Sequence, residues 1–398
     1  MDNTNILVCD HISYKCKMRS LLVQLCKDRE KNLLGSLGPA KFQNLSVFLR
    51  EANAEPVPMN TGVYSLSNPN QAVLAIGDVH GDLLALLSAL HLGGVIGLDG
   101  CWTGGNTLVV QLGDIFDRGG RGVSENTSRN PREEIDILQY IHALNKEARE
   151  KSNGGVVSLV GNHEADRFID SQAEIDKYET ELLVQGWGGV KAKRKLFQPK
   201  SSLAKYFAKY KPLIVQVNDF LFCHGGIVPD MLEPSDTVRS MNATWRNYLL
   251  GKITRIPDRL RDIYWNRDLS LPSPDNLKKS AECVNLVGKV FEKLQLGKNG
   301  GIVVAHTVQS NGIPFYCNGK VWRVDVALSE AFGRRTNPIE VLKIEFNVAD
   351  WSNKTVVQVI KGMQNKNSRT ARSTTEIHNY VDGELVWVEK MARVQKTL

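Results

Sequence analysis

The chain of 398 residues lacks the features that would place it in several specialised classes. No apolar run approaches the ~20 residues that a membrane-crossing helix needs. The opening, Met1-Asp2-Asn3-Thr4-Asn5, carries no basic segment followed by a long apolar one, so a secretory leader is not expected. The seven cysteines, Cys9, Cys16, Cys26, Cys101, Cys223, Cys283 and Cys317, are scattered and form no Cys-x-x-Cys pair. That spacing argues against a disulfide framework or a thiolate zinc site, and reduced buried thiols are expected. There is no internal repeat and no long low-complexity tract. Together these absences predict a soluble, cytoplasmic protein.

Charge is also close to balance. Fifty Lys and Arg against 43 Asp and Glu leave a formal +7, which tolerates an anionic substrate without demanding nucleic acid. No nucleic-acid or membrane partner is expected, and the composition leaves the oligomeric state open. A hydrophobic content of 42% and a charged content of 23% are ordinary for a globular chain.

What is present is a pattern of short apolar runs, each ending in a metal-type side chain. Val73-Leu74-Ala75-Ile76 reads as a buried strand and leads into Gly77-Asp78-Val79-His80-Gly81-Asp82, followed by the helical stretch Leu83 to Leu90. Val109 to Leu112 leads into Gly113-Asp114-Ile115-Phe116-Asp117-Arg118-Gly119-Gly120. Val156 to Val160 ends in Gly161-Asn162-His163-Glu164, Phe220 to Cys223 in His224-Gly225-Gly226, and Ile302 to Ala305 in His306-Thr307. In open α/β sheets, ligands bind where strands end. Alternating strands and helices from Val73 onward predict an α/β catalytic domain over residues 71–348. A helical lead-in over 1–70 precedes it, with helices near 17–34 and 42–52, and a β-rich extension over 349–398 follows, with a flexible basic stretch at 361–372. The basic run Lys191 to Lys195 reads as a solvated helix face.

Five strand ends bearing Asp78, His80, Asp114, Asn162, His224 and His306 would converge on one sheet edge. Buried carboxylates there repel one another unless cations neutralise them. The donor set, carboxylate and amide oxygen with imidazole nitrogen, suits Mn, Fe or Zn. Its size suits two ions, with Asp78 and His80 on one, Asn162, His224 and His306 on the other, and Asp114 between them. Paired metals of this kind serve in-line displacement at phosphorus by activating a hydroxide. His163 is then a candidate general acid, Asp117 its ring-orienting partner, and Arg118 a phosphate clamp. The other histidines, His11, His91, His142 and His378, are not delivered by a buried strand into a glycine or loop and read as structural or exposed.

The motifs GDVHGD, GDIFDRGG, GNHE, HGG and AHT resemble the calcineurin-like metallophosphoesterase superfamily, and within it the phosphoprotein phosphatase family of serine/threonine phosphatases. The resemblance spans Gly77 to Thr307 and implies a β-sandwich of mixed sheets flanked by helices. It further implies a dinuclear centre of divalent or trivalent Mn, Fe or Zn, ligands Asp78, His80, Asp114, Asn162, His224 and His306, and the acid pair His163 and Asp117. A phosphoprotein or phosphopeptide would be the substrate, and no phosphoenzyme would form. Val160 stands where the common eukaryotic branch has an arginine, and no SAPNY-type stretch is present. His306 to Gln309 with Gly319 to Asp325 instead look like the bacterial-type, Shewanella-like phosphatases. In that branch a Trp-x-Arg stretch supplies a second phosphate-binding arginine, which would be Arg267. A dinucleoside polyphosphate hydrolase and an inactive scaffold of the same fold are the alternatives.

Overall fold

The computed structural model describes residues 44–67, 71–97, 100–118, 132–169, 185–271, 281–332, 339–347, 354–363, 370–381 and 384–396. The helix expected near 17–34, the loop from Gly119 to Pro131 and His11 lie outside them. Two mixed sheets stack face to face. One contains β1 (Val63–Tyr64), β5 (Ile214–Val217), β6 (Phe220–Cys223), β7 (Ile302–Val304), β9 (Val321–Arg323) and β8 (Phe315–Tyr316), in that order. The other runs β13 (Glu384–Lys396), β12 (Thr370–Val381), β11 (Lys354–Met363), β10 (Glu340–Asn347), β2 (Ala72–Ile76), β3 (Leu108–Gln111), β4 (Gly155–Ser158). Helices cover the outward faces, so the structure is the helix-flanked β-sandwich that the sequence predicts.

Alternation along each strand explains the layering. In β2, Val73 and Ala75 join an apolar cluster between the sheets, whereas Leu74 and Ile76 join the cluster under the helices. Phe220 and Phe222 of β6 likewise point inward, and Leu221 and Cys223 outward. Strands buried on both faces need apolar residues at every position, which is why they read as unbroken runs in the sequence. Strands β2, β3 and β4 pair in parallel, as do β6 and β7. Parallel neighbours finish on the same side, so each set delivers its terminal residues to one rim.

Four expectations change in three dimensions. The candidate donors come from two sheets, not one edge: Asp78, Asp114 and Asn162 follow strands of the seven-stranded sheet, His224 and His306 strands of the six-stranded one. The polar stretch 361–372 is partly sheet, since β11 runs on to Met363 and β12 starts at Thr370, with cross-strand pairing satisfying a backbone whose side chains are polar. Residues 364–369 lie outside the described set. Lys193 is buried, with its ammonium 5.3 Å from the Trp187 ring and 3.8 Å from Glu134, so the basic run is not simply a solvated face. Finally, Cys283 and Cys317 are bonded, with Cα atoms 5.1 Å apart, because the helix Ala281–Leu294 packs on the turn at Cys317. Cys223 is a buried free thiol.

The helix Leu45–Ala54, from the predicted lead-in, packs on the helix Ser202–Tyr210 through Phe48 and Tyr206, whose ring centroids are 5.4 Å apart. No helix among the described residues is long and apolar enough to cross a membrane.

The inter-sheet cluster carries the sandwich, and Phe222 belongs to it with no exposed surface. Phe222→Ala is expected to lower stability by about 3–5 kcal/mol, read as a shift of the urea midpoint. A loss below about 1 kcal/mol would mean that this cluster is not what holds the sheets together.

Candidate active site

The turns after β2 and β3 are laced together by backbone bonds. The N–H groups of Val79 and His80 both donate to the Asp114 carbonyl, at 3.0 and 2.9 Å, and that of Gly81 donates to the Ile115 carbonyl at 2.8 Å. Asp82 caps the helix Leu83–Leu92 by accepting from the Ala85 N–H at 2.9 Å. The capping role therefore belongs to Asp82, and Asp78 is left facing the rim. Four residues here have left-handed backbone: His80 (φ +41°), Asp114 (φ +50°), Asp117 (φ +66°) and His306 (φ +66°). Each such conformation costs a non-glycine residue on the order of 1–3 kcal/mol, and the surrounding bonds must hold it in place. Gly161 must stay a glycine: an added Cβ would lie 2.1 Å from Asp114 Oδ1.

These turns gather six of the predicted side chains around Asp114. His80 Nε2 is 3.8 Å from Asp78 Oδ2 and 3.7 Å from Asp114 Oδ2. His224 Nε2 lies 3.3 Å from Asp114 Oδ2 and 3.0 Å from Asn162 Oδ1, and His224 Nδ1 lies 3.7 Å from Asp78 Oδ1. The His224 and His306 rings are 5.0 Å apart. Asp114, His224 and His306 each place a donor atom within 4.8 Å of the others, and so do His80, Asp114 and His163. Asp114 belongs to both groups.

Hydrogen-bond polarity says what this cluster fits. His224 Nδ1 is 2.7 Å from the Leu112 carbonyl and His80 Nδ1 is 2.9 Å from the Phe116 carbonyl. A carbonyl can only accept, so both rings carry their proton on Nδ1. In its neutral form His224 then turns its Nε2 toward Asp114 Oδ2 and Asn162 Oδ1, and His80 its own toward the carboxylates of Asp78 and Asp114, oxygens that have nothing to donate. A buried set of lone pairs facing one another is held together by a proton or by a cation. His306 Nε2 is buried without a hydrogen-bond partner among the described residues. The donors present therefore fit metal ions.

Electrostatics follows the same geometry. Burial would push the Asp114 carboxyl up, but the imidazoles of His224, His163 and His80 outweigh it and hold it well below the usual carboxylate range. Burial works against a proton on His224, yet Asp114 lifts it above the ordinary imidazole value. His306 is driven down to about 3, first by burial and then by His224, so its lone pair is available across the physiological range.

His163 sits beside this cluster and differs from it in one respect. Its Nδ1 is 2.7 Å from Asp117 Oδ2, which leaves Nε2 facing the site, 3.8 Å from Asp114 Oδ2. Arg118 reaches Glu133 at 2.8 Å and the Gly81 carbonyl at 3.2 Å, with Asp82 and Glu330 within 3.8 Å. Arg267 is anchored beside His306, donating to its carbonyl at 3.1 Å and to Thr307 Oγ1 at 2.7 Å. Away from the site, His91 and His142 are tied to the Ile96 carbonyl and Glu55, and His378 packs between Phe315 and Trp322.

Sequence reasoning gave no structural role to the groups that hold these side chains. Glu164 accepts from four backbone N–H groups, those of Asp114, Ile115, Phe116 and Gly161, at 2.8–3.1 Å. Burial and then Asp114 raise its carboxyl above the usual range. Below it, Lys211 donates to Ser158 Oγ, which donates to Gln111 Oε1, and Gln111 in turn holds the Gly113 and Gly77 carbonyls. Glu134 accepts from the Asp117 N–H at 2.7 Å and from Trp187 Nε1 at 2.8 Å. Glu133 and Glu134 look like ordinary first-turn acids of the helix Glu133–Lys151, where acids complement the helix dipole. Nothing in their spacing distinguishes that use from this one.

Comparison with known proteins agrees with this architecture. Residues 72–318 match the model of the calcineurin-like phosphoesterase family. Shewanella-like protein phosphatase 2 of Arabidopsis thaliana is 26% identical over 318 residues, covering 69% of this chain and 76% of its own length. Shewanella-like protein phosphatase 1 of Plasmodium berghei is 27% identical over 298 residues, covering 74% and 76%. Among solved structures, the cold-active protein-tyrosine phosphatase of a psychrophilic Shewanella shares the fold, with a TM-score of 0.56 and 22% identity over 79% of this chain and 82% of that one.

Because Glu164 satisfies several buried donors at once, Glu164→Ala is expected to destabilise the protein by more than about 3 kcal/mol, since each orphaned buried group costs about 1–3 kcal/mol. Denaturant unfolding measures this. A change of less than about 1 kcal/mol would show that the two turns hold their shape without it.

Proposed function

Because the chain belongs to the calcineurin-like phosphoesterase family, we propose that this phosphatase works with two metal ions on phosphorylated serine and threonine residues of proteins. The observation that carries the proposal is the position of the Asp114 carboxylate, common to two donor groups whose atoms lie within 4.8 Å of one another. Asp78 and His80 would hold one ion, Asn162, His224 and His306 the other, and Asp114 would bridge. Nitrogen and oxygen donors without sulfur favour Mn, Fe or Zn. When bound, such a pair supplies Lewis acidity at the phosphoryl group and makes water acidic enough to ionise near neutral pH.

The rest of the chemistry falls to the chain's own side chains. His163 donates its Nε2 proton to the departing oxygen, while Asp117 Oδ2, at 2.7 Å from Nδ1, fixes the tautomer and balances the charge of the ring before it gives the proton up. Arg118 and Arg267 orient the phosphoryl oxygens through their planar forks. A positioned acid matters most for a leaving group that cannot depart as an anion. A phenol titrates near about 10, whereas an alcohol is far less acidic. Supporting His163 with a buried carboxylate therefore suits the alkoxide of serine or threonine better than the phenolate of tyrosine. Two relatives are named protein phosphatases, and the solved structural neighbour is named a tyrosine phosphatase, so both kinds of phosphoresidue belong in the test.

The decisive panel is phosphoserine, phosphothreonine and phosphotyrosine peptides, p-nitrophenyl phosphate and a dinucleoside polyphosphate, each with Mn and with chelator. The expected result is metal-dependent turnover highest on phosphoserine or phosphothreonine. Preference for the dinucleotide would replace the substrate class, and no turnover with metal bound would make the chain a scaffold. His163→Asn is expected to keep both ions and lose about 100- to 10,000-fold in turnover on a phosphoserine peptide. Loss of the metals in that variant would instead make His163 a ligand, a role its proximity to His80 and Asp114 allows. Asp114→Asn is expected to weaken both ions together in a metal titration, and selective loss of one would contradict bridging.

A further inference from the structure

Arg167 is a fully buried arginine that neither the donor cluster nor the phosphate clamp uses. It lies four residues beyond His163 on the helix Asn162–Ile169, and that spacing puts the two on one helix face. Its Nη2 contacts Asp117 Oδ1, and its Nε donates to Asp117 Oδ2 at 3.3 Å. Both oxygens of the carboxylate are thus taken by one edge of the guanidinium, through Nε and Nη2. Oδ2 is also the atom that His163 Nδ1 meets at 2.7 Å. The guanidinium carbon also lies 5.6 Å from the centroid of the buried Phe197 ring. The backbone of Asp117 is held separately, its N–H donating to Glu134 Oε1 at 2.7 Å.

We propose that Arg167 is a positioning residue for the acid step: its fork fixes the plane of the Asp117 carboxylate, and that plane fixes the direction in which His163 presents Nε2. The inference rests on the assignment of His163 as general acid made above. A planar fork does this where a point charge does not, because two parallel contacts remove the rotation about the carboxylate's own bond. Without the fork, Oδ2 is free to swing away from Nδ1. The imidazole then loses the partner that sets its tautomer. The effect should be selective: a departing alkoxide needs the proton and a departing nitrophenolate does not. Supporting groups one step behind a reacting or ligating side chain commonly change activity by about 10- to 100-fold.

The test compares wild type, His163→Asn, Arg167→Met and Arg167→Lys, each loaded with Mn, on a phosphoserine peptide and on p-nitrophenyl phosphate, with bound metal measured in parallel. Arg167→Met is expected to lose about 10- to 100-fold in kcat on the peptide and less than about threefold on the aryl phosphate, with KM and metal content unchanged. Arg167→Lys, which keeps the charge but not the fork, is expected to show the same selective loss, and it decides the question if Arg167→Met fails to fold. Equal losses on the two substrates, or full recovery in Arg167→Lys, would overturn the proposal. Selective loss in His163→Asn without selective loss in either Arg167 variant would also overturn it while leaving the acid in place. No selectivity in His163→Asn would instead bring down the assignment of the acid.

Discussion

The structure is organised around a crowd of electron pairs that cannot satisfy one another. Asp114 lies within 4 Å of the imidazole nitrogens of His80, His163 and His224, and Asp78 and Asn162 add further oxygens to the same space. The histidine protons of His80 and His224 are spent elsewhere, on the Phe116 and Leu112 carbonyls. A chain that buries such a set without positive charge in its midst would pay heavily in desolvation. Everything around the cluster can be understood as holding it together against that tendency: the left-handed turns, the glycine that clears room for Asp114, and the carboxylate of Glu164 collecting backbone donors from two loops.

The two stacked sheets supply the rigid frame. Each provides parallel strands that end on one side, and stacking brings both sets of ends to the same place. Neither sheet alone could surround Asp114. The seven-stranded sheet offers two carboxylates, an amide and the His80 imidazole, and the six-stranded sheet the imidazoles of His224 and His306. The link is mechanical as well as chemical, since His224, after β6, holds the Leu112 carbonyl, after β3, at 2.7 Å. Beneath the rim, Lys211, Ser158 and Gln111 fasten the carbonyls of Gly77 and Gly113, so the turns rest on a buried polar chain. Burial drives the Lys211 ammonium down to about 8 against the pull of Glu164, so the fixings under the site are themselves sensitive to charge.

How much of this was legible beforehand depends on what each residue's neighbours in sequence disclose. Strand ends were readable because a double-faced buried strand must be apolar throughout, and a polar residue that closes such a run stands out. That gave Asp78, Asp114, Asn162, His224 and His306, and their meeting in space followed from parallel pairing. The division of the donors between two sheets was not readable, since stacking leaves no local mark. The roles of Glu164 and Arg167 were hidden for a similar reason. Both are helix residues whose partners lie about fifty positions away, and a charged residue in a helix is usually a solvated one. Lys193 misled in the same way. The strand β12 was missed because Thr, Ser, Glu and Asn between its few apolar residues looked like a polar loop, whereas cross-strand pairing with its neighbours supplied the order.

The central claim is that these donors hold a pair of ions with Asp114 between them. Anomalous diffraction from crystals grown with Mn would test it most directly. The account predicts two peaks about 3.5–4 Å apart, one beside Asp78 and His80, the other beside Asn162, His224 and His306, with Asp114 touching both. A single peak that leaves one set of donors bare, or none in this cluster at all, would contradict it.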